Sequence, residues 1–134
     1  MSLFSKKTVD EPGIKGVVRD CLRSDRALNK LGEGDIVVVD APDITRVLAQ
    51  RIIDAKAGAV VNTGAFTTGA VPNFGPQMLL DADVVLVENA VPSEASKIRD
   101  GKVHRLYEGK LYLGDRRVAA GDEVSMDQTS SDFD

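Results

Sequence analysis

The chain has 134 residues, of which 43% are hydrophobic, 28% are charged and 4% are aromatic. This length and composition are typical of one globular domain whose core is mostly aliphatic. The net charge of −4 and the pI of about 5.0 disfavour nucleic acid as a main partner, because phosphate binding needs a clustered basic face. The single cysteine, Cys21, excludes an internal disulfide and a cluster of thiolate metal ligands.

The two ends of the chain differ from its middle. Residues 1–12 are mostly polar and lack periodicity, so they are predicted to form a flexible N-terminal arm. They contain no apolar segment typical of a secretory signal, which predicts a cytoplasmic protein. Residues 122–134 are acidic and polar, and we predict a tail or the start of a linker to a second domain that this chain lacks. The folded domain is therefore expected over residues 13–121.

The first half of the chain predicts a strand, a short helix and then a βαβ unit. Residues 13–18 are the first strand, and Ser24 is a suitable N-cap for the short helix. The apolar run Ile36 to Val39 is typical of a strand buried on both faces. An amphipathic helix capped by Asp43 follows, and then an apolar strand at residues 59–61. This order predicts a parallel strand pair joined by a right-handed crossover.

The second half predicts a further strand and then hairpins. Apolar residues 84–87 form the strand, with short helices before it (residues 77–81) and after it (residues 92–100). Glu108-Gly109 and Gly114-Asp115 are hairpin turn signals between short strands. The whole pattern predicts an α/β fold, a swivelling-type β/β/α domain with a parallel βαβ core and C-terminal hairpins.

An uncharged run extends from Ala57 to Leu80 in a chain that is otherwise dense in charge. Its Gly, Asn, Thr and Pro residues exclude a membrane-spanning helix, so no direct membrane span is predicted in this chain. The run continues past the carboxyl end of a predicted parallel strand, where ligands often bind in open α/β sheets. We therefore predict that its loop contacts a ligand or a partner. The candidate residues are Asn62, Thr63, Gly64, Phe66, Thr67, Thr68, Gly69, Asn73, Phe74 and Gly75.

The chemistry of this loop leaves several functions open. It contains no acid, base, thiol or imidazole, so it would recognise its target without its own proton transfer. Backbone N–H groups and the start of the following helix could hold an anion, although Pro76 supplies no N–H. Alternatively, Phe66, Val71 and Phe74 form a protein contact surface, or the rings fold inward and only close the end of the sheet.

No catalytic residue, metal site or cofactor is predicted. His104 is the only imidazole and is expected at the surface of a hairpin strand, with no carboxylates that the sequence brings to it. Cys21 is either a small buried hydrophobic residue or a reactive thiol.

The order and spacing of these elements resemble those of two families. The first is the swivelling β/β/α domain of phosphoenolpyruvate-utilising enzymes, on the segments 34–38, 59–61 and 84–87 and the Gly/Thr loop. Those enzymes carry a phosphorylated histidine in a Thr-Ser-His run within that loop. This chain has Thr67-Thr68-Gly69 there, so the resemblance implies that phosphocarrier chemistry is absent.

The second resemblance is closer, and covers about two-thirds of the chain. Residues 34–120 are similar to the N-terminal domain of SteA-like cytokinetic ring proteins, in which a second domain is related to thiamine pyrophosphokinase. The landmarks are GDIVVVDA (34–41), AVVN (59–62), PNFGP (72–76), KIRDG (97–101) and LYLGDRRVA (111–119).

The SteA-like resemblance implies a non-catalytic assembly module of a cell-division protein, located in the cytoplasm at the division septum. It implies protein partners that include a septal membrane protein, with a homo-oligomer as a further arrangement. The alternative is an accessory domain that presents a nucleotide or phosphorylated ligand to a thiamine pyrophosphokinase-like domain absent from this chain. A degenerate phosphotransfer domain is a third reading.

Overall fold

The structure is a computed structural model that describes residues 12–69 and 74–125. Within these residues the chain forms strands, two α-helices and one 3₁₀ helix. In chain order they are β1 (Ile14–Asp20), the 3₁₀ helix (Asp25–Lys30), β2 (Ile36–Val39), α1 (Arg46–Asp54), β3 (Ala59–Asn62), α2 (Gly75–Asp81), β4 (Val85–Pro92), β5 (Val103–Tyr107), β6 (Lys110–Leu113) and β7 (Arg116–Val124).

The strands form one closed barrel in the order β1-β2-β3-β4-β7-β6-β5. Strands β1 to β4 run parallel, and the remaining pairs are antiparallel, with β5 returning to β1. The prediction of an α/β swivelling-type β/β/α domain is therefore wrong, because the chain forms a mixed seven-stranded barrel with few helices. The pairs β1–β5 and β4–β7 join the parallel half to the hairpins, and no local sequence pattern shows which strand edges will meet.

Several local predictions are confirmed within this different architecture. Strands β2 and β3 are parallel and joined through α1, and β6 forms hairpins with both β5 and β7. The Ser24 hydroxyl accepts a hydrogen bond from the Arg26 N–H at 3.2 Å, so it caps the 3₁₀ helix as expected. The cap of α1 differs from the prediction, because the Thr45 hydroxyl, and not Asp43, accepts the Leu48 N–H at 3.1 Å.

The parallel strands are covered on both faces, which confirms the reading of the apolar run at Ile36–Val39. Ile36 and Val38 belong to the barrel interior with residues such as Leu106. Val37 and Val39 face the other way, into a second core that includes residues of α1 and α2. Among the described residues, no helix is long and apolar enough to span a bilayer.

The carboxyl ends of β1 to β4 lie at one end of the barrel, which we call the carboxyl end. The predicted helix at residues 92–100 is wrong, because β4 continues to Pro92 and the following segment is irregular. The Ser93 N–H donates to the Val118 carbonyl at 2.8 Å, which extends strand pairing where a helix would begin.

The register places the start of β1 and the end of β7 at the opposite end of the barrel. Strand β7 continues to Val124, so the domain boundary predicted at residue 121 falls inside a strand. Most of the predicted N-terminal arm (residues 1–11) and of the predicted tail (residues 126–134) lies outside the described residues.

Candidate functional site

The uncharged loop begins at a buried asparagine that ties two strand ends together. The Asn62 side chain is fully buried. Its Oδ1 accepts the Ala41 and Gly64 N–H groups at 2.9 Å each, and its Nδ2 donates to the Ala41 carbonyl at 2.9 Å. The Thr63 N–H donates to the Val39 carbonyl at 2.9 Å. These bonds give Asn62 a structural role, holding the loop after β3 against the end of β2.

A carboxylate on the preceding connection holds the next part of the loop. Asp43 lies between β2 and α1 with a left-handed backbone conformation (φ 52°). Its two oxygens accept the Thr68 N–H at 2.6 Å and the Thr68 hydroxyl at 2.7 Å. Both hydrogen bonds lower the pKa of Asp43, and the bond from the Thr68 hydroxyl has the larger effect. The carboxylate therefore stays ionised and clamps the two connections together.

A second carboxylate accepts a hydrogen bond from another backbone N–H of the loop. Glu88 Oε1 accepts the Phe66 N–H at 3.0 Å. With the Gly64 N–H on Asn62 and the Thr68 N–H on Asp43, several donors that an anion would need already serve protein acceptors. The described part of this loop is therefore poorly suited to bind a phosphate or a carboxylate.

The structure separates the aromatic candidates of the loop. The Phe66 ring is 1% exposed and packs in the core beneath α1 and α2, whereas Phe74 is 61% exposed and lies directly before α2. Thr67, Thr68 and Gly69 are exposed, and Gly75 is buried. Asn73 and Val71 lie outside the described residues. The predicted contact loop thus contains an internal anchoring part and an exposed part.

His104 is buried in the barrel wall with 1% exposure, so the expectation of a surface histidine is wrong. The Arg99 N–H donates to Nε2 at 3.3 Å, and because a backbone N–H can only donate, the proton must sit on Nδ1. Nδ1 then donates to the Lys102 carbonyl at 2.9 Å. Burial lowers the pKa of His104, and the Lys102 hydrogen bond opposes this shift only in part. The neutral imidazole holds the loop before β5 in place.

The Cys21 thiol is also buried, and the reading of it as a small apolar residue fits its surroundings. Burial raises the pKa of Cys21 to about 11, and the nearby carboxylates of Asp20, Asp25 and Asp100 act in the same direction. The thiol is therefore protonated and weakly nucleophilic near neutral pH. Among the described residues, no group of three or more His, Cys, Asp or Glu side chains is arranged to hold a metal ion.

A large open cleft at the carboxyl end of the barrel is the feature that the sequence analysis missed. It has a volume of about 1030 Å³ and lies between the segment 20–30 and the segment 92–100. Its cationic lining consists of Arg23, Arg26, Lys30, Lys97 and Arg99. The density of arginine and lysine in residues 19–30 of an acidic chain is a signal that could have identified one wall. The sequence predicts a helix for the second wall, whereas the structure shows an irregular segment there. The position of this segment opposite the first wall depends on closure of the barrel.

Comparisons with known proteins leave the family open. No protein-family model matches the sequence, and no curated protein matches it. A solved structure described as a potential metal-dependent hydrolase with cyclase activity is similar at 16% identity and a TM-score of 0.46. The similarity covers 83% of this chain and 63% of the other chain. This chain therefore spans less than two-thirds of the length of that structure. At this identity and TM-score the likeness supports no inference of fold or function.

Proposed function

We propose that this chain is a non-catalytic assembly module of a cell-division protein, comparable to the N-terminal domain of SteA-like proteins. The observation that supports this proposal best is a pair of exposed apolar side chains beside a firmly hydrogen-bonded rim. Val47 is 81% exposed and Phe74 is 61% exposed, and the rim consists of residues 41–45 and 62–69.

The topology brings these two side chains to the same end of the barrel. Each α-helix connects the carboxyl end of one parallel strand to the start of the next, so both helices begin at the carboxyl end. Helices α1 and α2 also pack against each other. Val47 lies in the first turn of α1 and Phe74 directly precedes α2. Contiguous exposed apolar surface is characteristic of protein contact sites, and these two side chains supply apolar surface at one end of the barrel.

The reactive side chains of the described residues support a non-catalytic role. His104 is neutral and has hydrogen bonds to the backbone at both ring nitrogens, and Cys21 is a protonated buried thiol. We propose that the partner is a septal membrane protein and that the module acts on the cytoplasmic side of the division septum. The other arrangement is self-association through the same surface, and the experiment must distinguish it from binding to a septal membrane protein.

Site-specific photo-crosslinking in the native cells tests this proposal. A photoreactive amino acid replaces Phe74, and a control variant carries it at Val103, which is 58% exposed on β5. We expect position 74, and not position 103, to crosslink to a membrane protein of the septum. A crosslink from position 74 to a second copy of the chain would show that this surface serves self-association and does not bind a membrane protein. Equal crosslinking at both positions, or none at 74, would refute the proposed contact surface.

The alternative function is that of an accessory domain that presents a nucleotide or phosphorylated ligand to a separate catalytic domain. The cationic cleft is the observation that favours this alternative, since the described donors of the uncharged loop are already engaged. A melting-temperature screen of the chain with nucleotides and thiamine phosphates distinguishes the two functions. No shift with any of these ligands would argue against the accessory-domain reading.

A further inference from the structure

The charge of the cleft is opposite to that of the whole chain. The chain has a net charge of −4, but five cationic side chains and only two carboxylates line the cleft. All five cationic residues are exposed. Among the described residues, none of these five side chains forms an ion pair or a side-chain hydrogen bond. Like charges that line one cleft without ion-pair partners repel one another, so this arrangement favours an anionic ligand.

The two carboxylates of the cleft have structural roles. Asp100 Oδ1 accepts the Asp20 N–H at 2.8 Å, which attaches the segment 92–100 to the end of β1. Asp20 Oδ1 accepts the Leu22 N–H at 3.0 Å and shapes the turn that leads to the 3₁₀ helix. Each carboxylate thus uses an oxygen to fix a wall, and neither forms an ion pair with the cleft arginines among the described contacts.

The backbone supports both walls independently of a ligand. The Ser24 cap fixes the start of the 3₁₀ helix, which carries Arg26 and Lys30. On the other wall, the Arg99 N–H is held by His104 Nε2, and the Gly101 N–H donates to the Val18 carbonyl at 2.8 Å. Arg26, Lys30 and Arg99 therefore project from anchored backbone, which reduces the backbone entropy lost when a ligand binds.

We propose that this cleft binds a small molecule that carries two or more phosphate groups. Arginine forms bidentate, charge-assisted hydrogen bonds with phosphate oxygens, and the cleft offers arginines on both walls. The volume of about 1030 Å³ is near the upper end of the range for small-molecule sites. Leu22, Ala27 and Ile98 also line the cleft and provide apolar surface for the organic part of such a ligand.

This site is separate from the proposed protein contact surface. None of the residues that line the cleft belongs to the uncharged loop or to either α-helix. The assembly proposal can therefore fail while the cleft binds phosphates, and the reverse is also true. An acidic peptide is the competing occupant that the experiment must exclude.

Calorimetric titration of the chain with inorganic pyrophosphate and with ADP, with adenosine for comparison, tests the proposal. We expect saturable binding of both phosphates, weaker binding of adenosine, and weaker phosphate binding at higher salt because exposed charges are screened. The double variant Arg23→Gln/Arg99→Gln removes one guanidinium from each wall. It should weaken phosphate binding by at least about tenfold, because each charged hydrogen bond contributes more than a neutral one.

The control is the double variant Arg46→Gln/Arg116→Gln, which removes the same charge from exposed positions outside the cleft. It should bind pyrophosphate nearly as well as the wild type. If the first variant does not fold, Lys30→Gln/Lys97→Gln replaces it as a pair across the same cleft. Absence of saturable phosphate binding, an equal loss in the variant and its control, or tighter binding of a Glu-rich peptide than of pyrophosphate would each overturn the proposal.

Discussion

At the scale of single residues, His104 shows how burial converts a titratable group into a structural one. Its two ring nitrogens have opposite roles, since Nδ1 donates to Lys102 and Nε2 accepts from Arg99. Protonation would place a hydrogen on Nε2, directed at the Arg99 N–H, and would also charge a buried ring. The neutral form is therefore required for the packing of the loop that carries Arg99.

The pKa shift of His104 gives a prediction with a defined sign. The folded-state pKa lies below the usual value of 6.5, so the unfolded chain takes up the proton first as the pH falls. The contribution of His104 to the free energy of unfolding is complete above pH 6.5, the ordinary pKa of histidine. It declines as the pH falls below 6.5 toward the lower folded-state pKa. Urea denaturation should show lower stability at about pH 5.5 than at about pH 7.5, above the range in which most carboxylates titrate.

The control is His104→Gln, which removes the only histidine of the chain. Its stability should change less than that of the wild type across the same pH interval. If both proteins lose stability equally over this interval, the buried imidazole is not the source of the pH dependence.

At the scale of elements, the β5–β6 hairpin shows a local signal that the structure confirms. Glu108 and Gly109 both have positive φ angles, 49° and 81°, as the primed turns of tight hairpins require. A Cβ atom added at Gly109 would lie 2.3 Å from the Gly121 carbonyl oxygen on β7. This position therefore needs glycine both for its backbone conformation and for the close approach of another strand.

Two alanine substitutions separate these effects. Gly109→Ala should lower the free energy of unfolding by more than about 1 kcal/mol, because it combines a strained φ with a backbone clash. Gly114→Ala is the matched control, since Gly114 also has a positive φ of 61° but a Cβ there would meet nothing within 4 Å. Chemical denaturation should show the larger loss for Gly109→Ala. Equal losses would mean that the contact with β7 adds nothing to the conformational strain.

At the scale of the whole molecule, stability depends on two cores on opposite sides of the parallel strands. Val60 is fully buried beneath α1 and α2, whereas its neighbour Val61 faces the barrel interior. Strands β2, β3 and β4 each contribute buried side chains to both cores, and we therefore expect the chain to unfold in one cooperative transition. Val85, in contrast, is only partly buried.

Truncation of these valines tests this organisation. Val60→Ala should destabilise the fold by about 1–3 kcal/mol, through lost apolar burial and the cavity left behind. Val85→Ala should cost less, and Val47→Ala, at an 81% exposed position, should have little effect. Thermal denaturation followed by circular dichroism measures all three. A broad melt of the wild type, or equal losses at positions 47 and 60, would contradict the two-core description.

The sequence alone determined the features that depend on neighbouring residues. The apolar run at Ile36–Val39 specified a strand buried on both faces, Ser24 specified a cap, and Glu108-Gly109 specified a hairpin turn. Each of these signals depends on chemistry within a few residues: apolar periodicity, a side-chain acceptor near free N–H groups, or a tolerated positive φ. The position of the contact loop after a parallel strand also followed from local order.

Only the tertiary structure decided the features that depend on distant pairing. Barrel closure requires β1 to pair with β5 and β4 with β7, and no pattern along the chain encodes these partners. The same closure buries His104, turns Phe66 inward while Phe74 stays exposed, and places the segments 20–30 and 92–100 on opposite walls of one cleft. Burial and proximity are properties of the assembled sheet, because the side chains involved are far apart in sequence and meet only when the barrel closes.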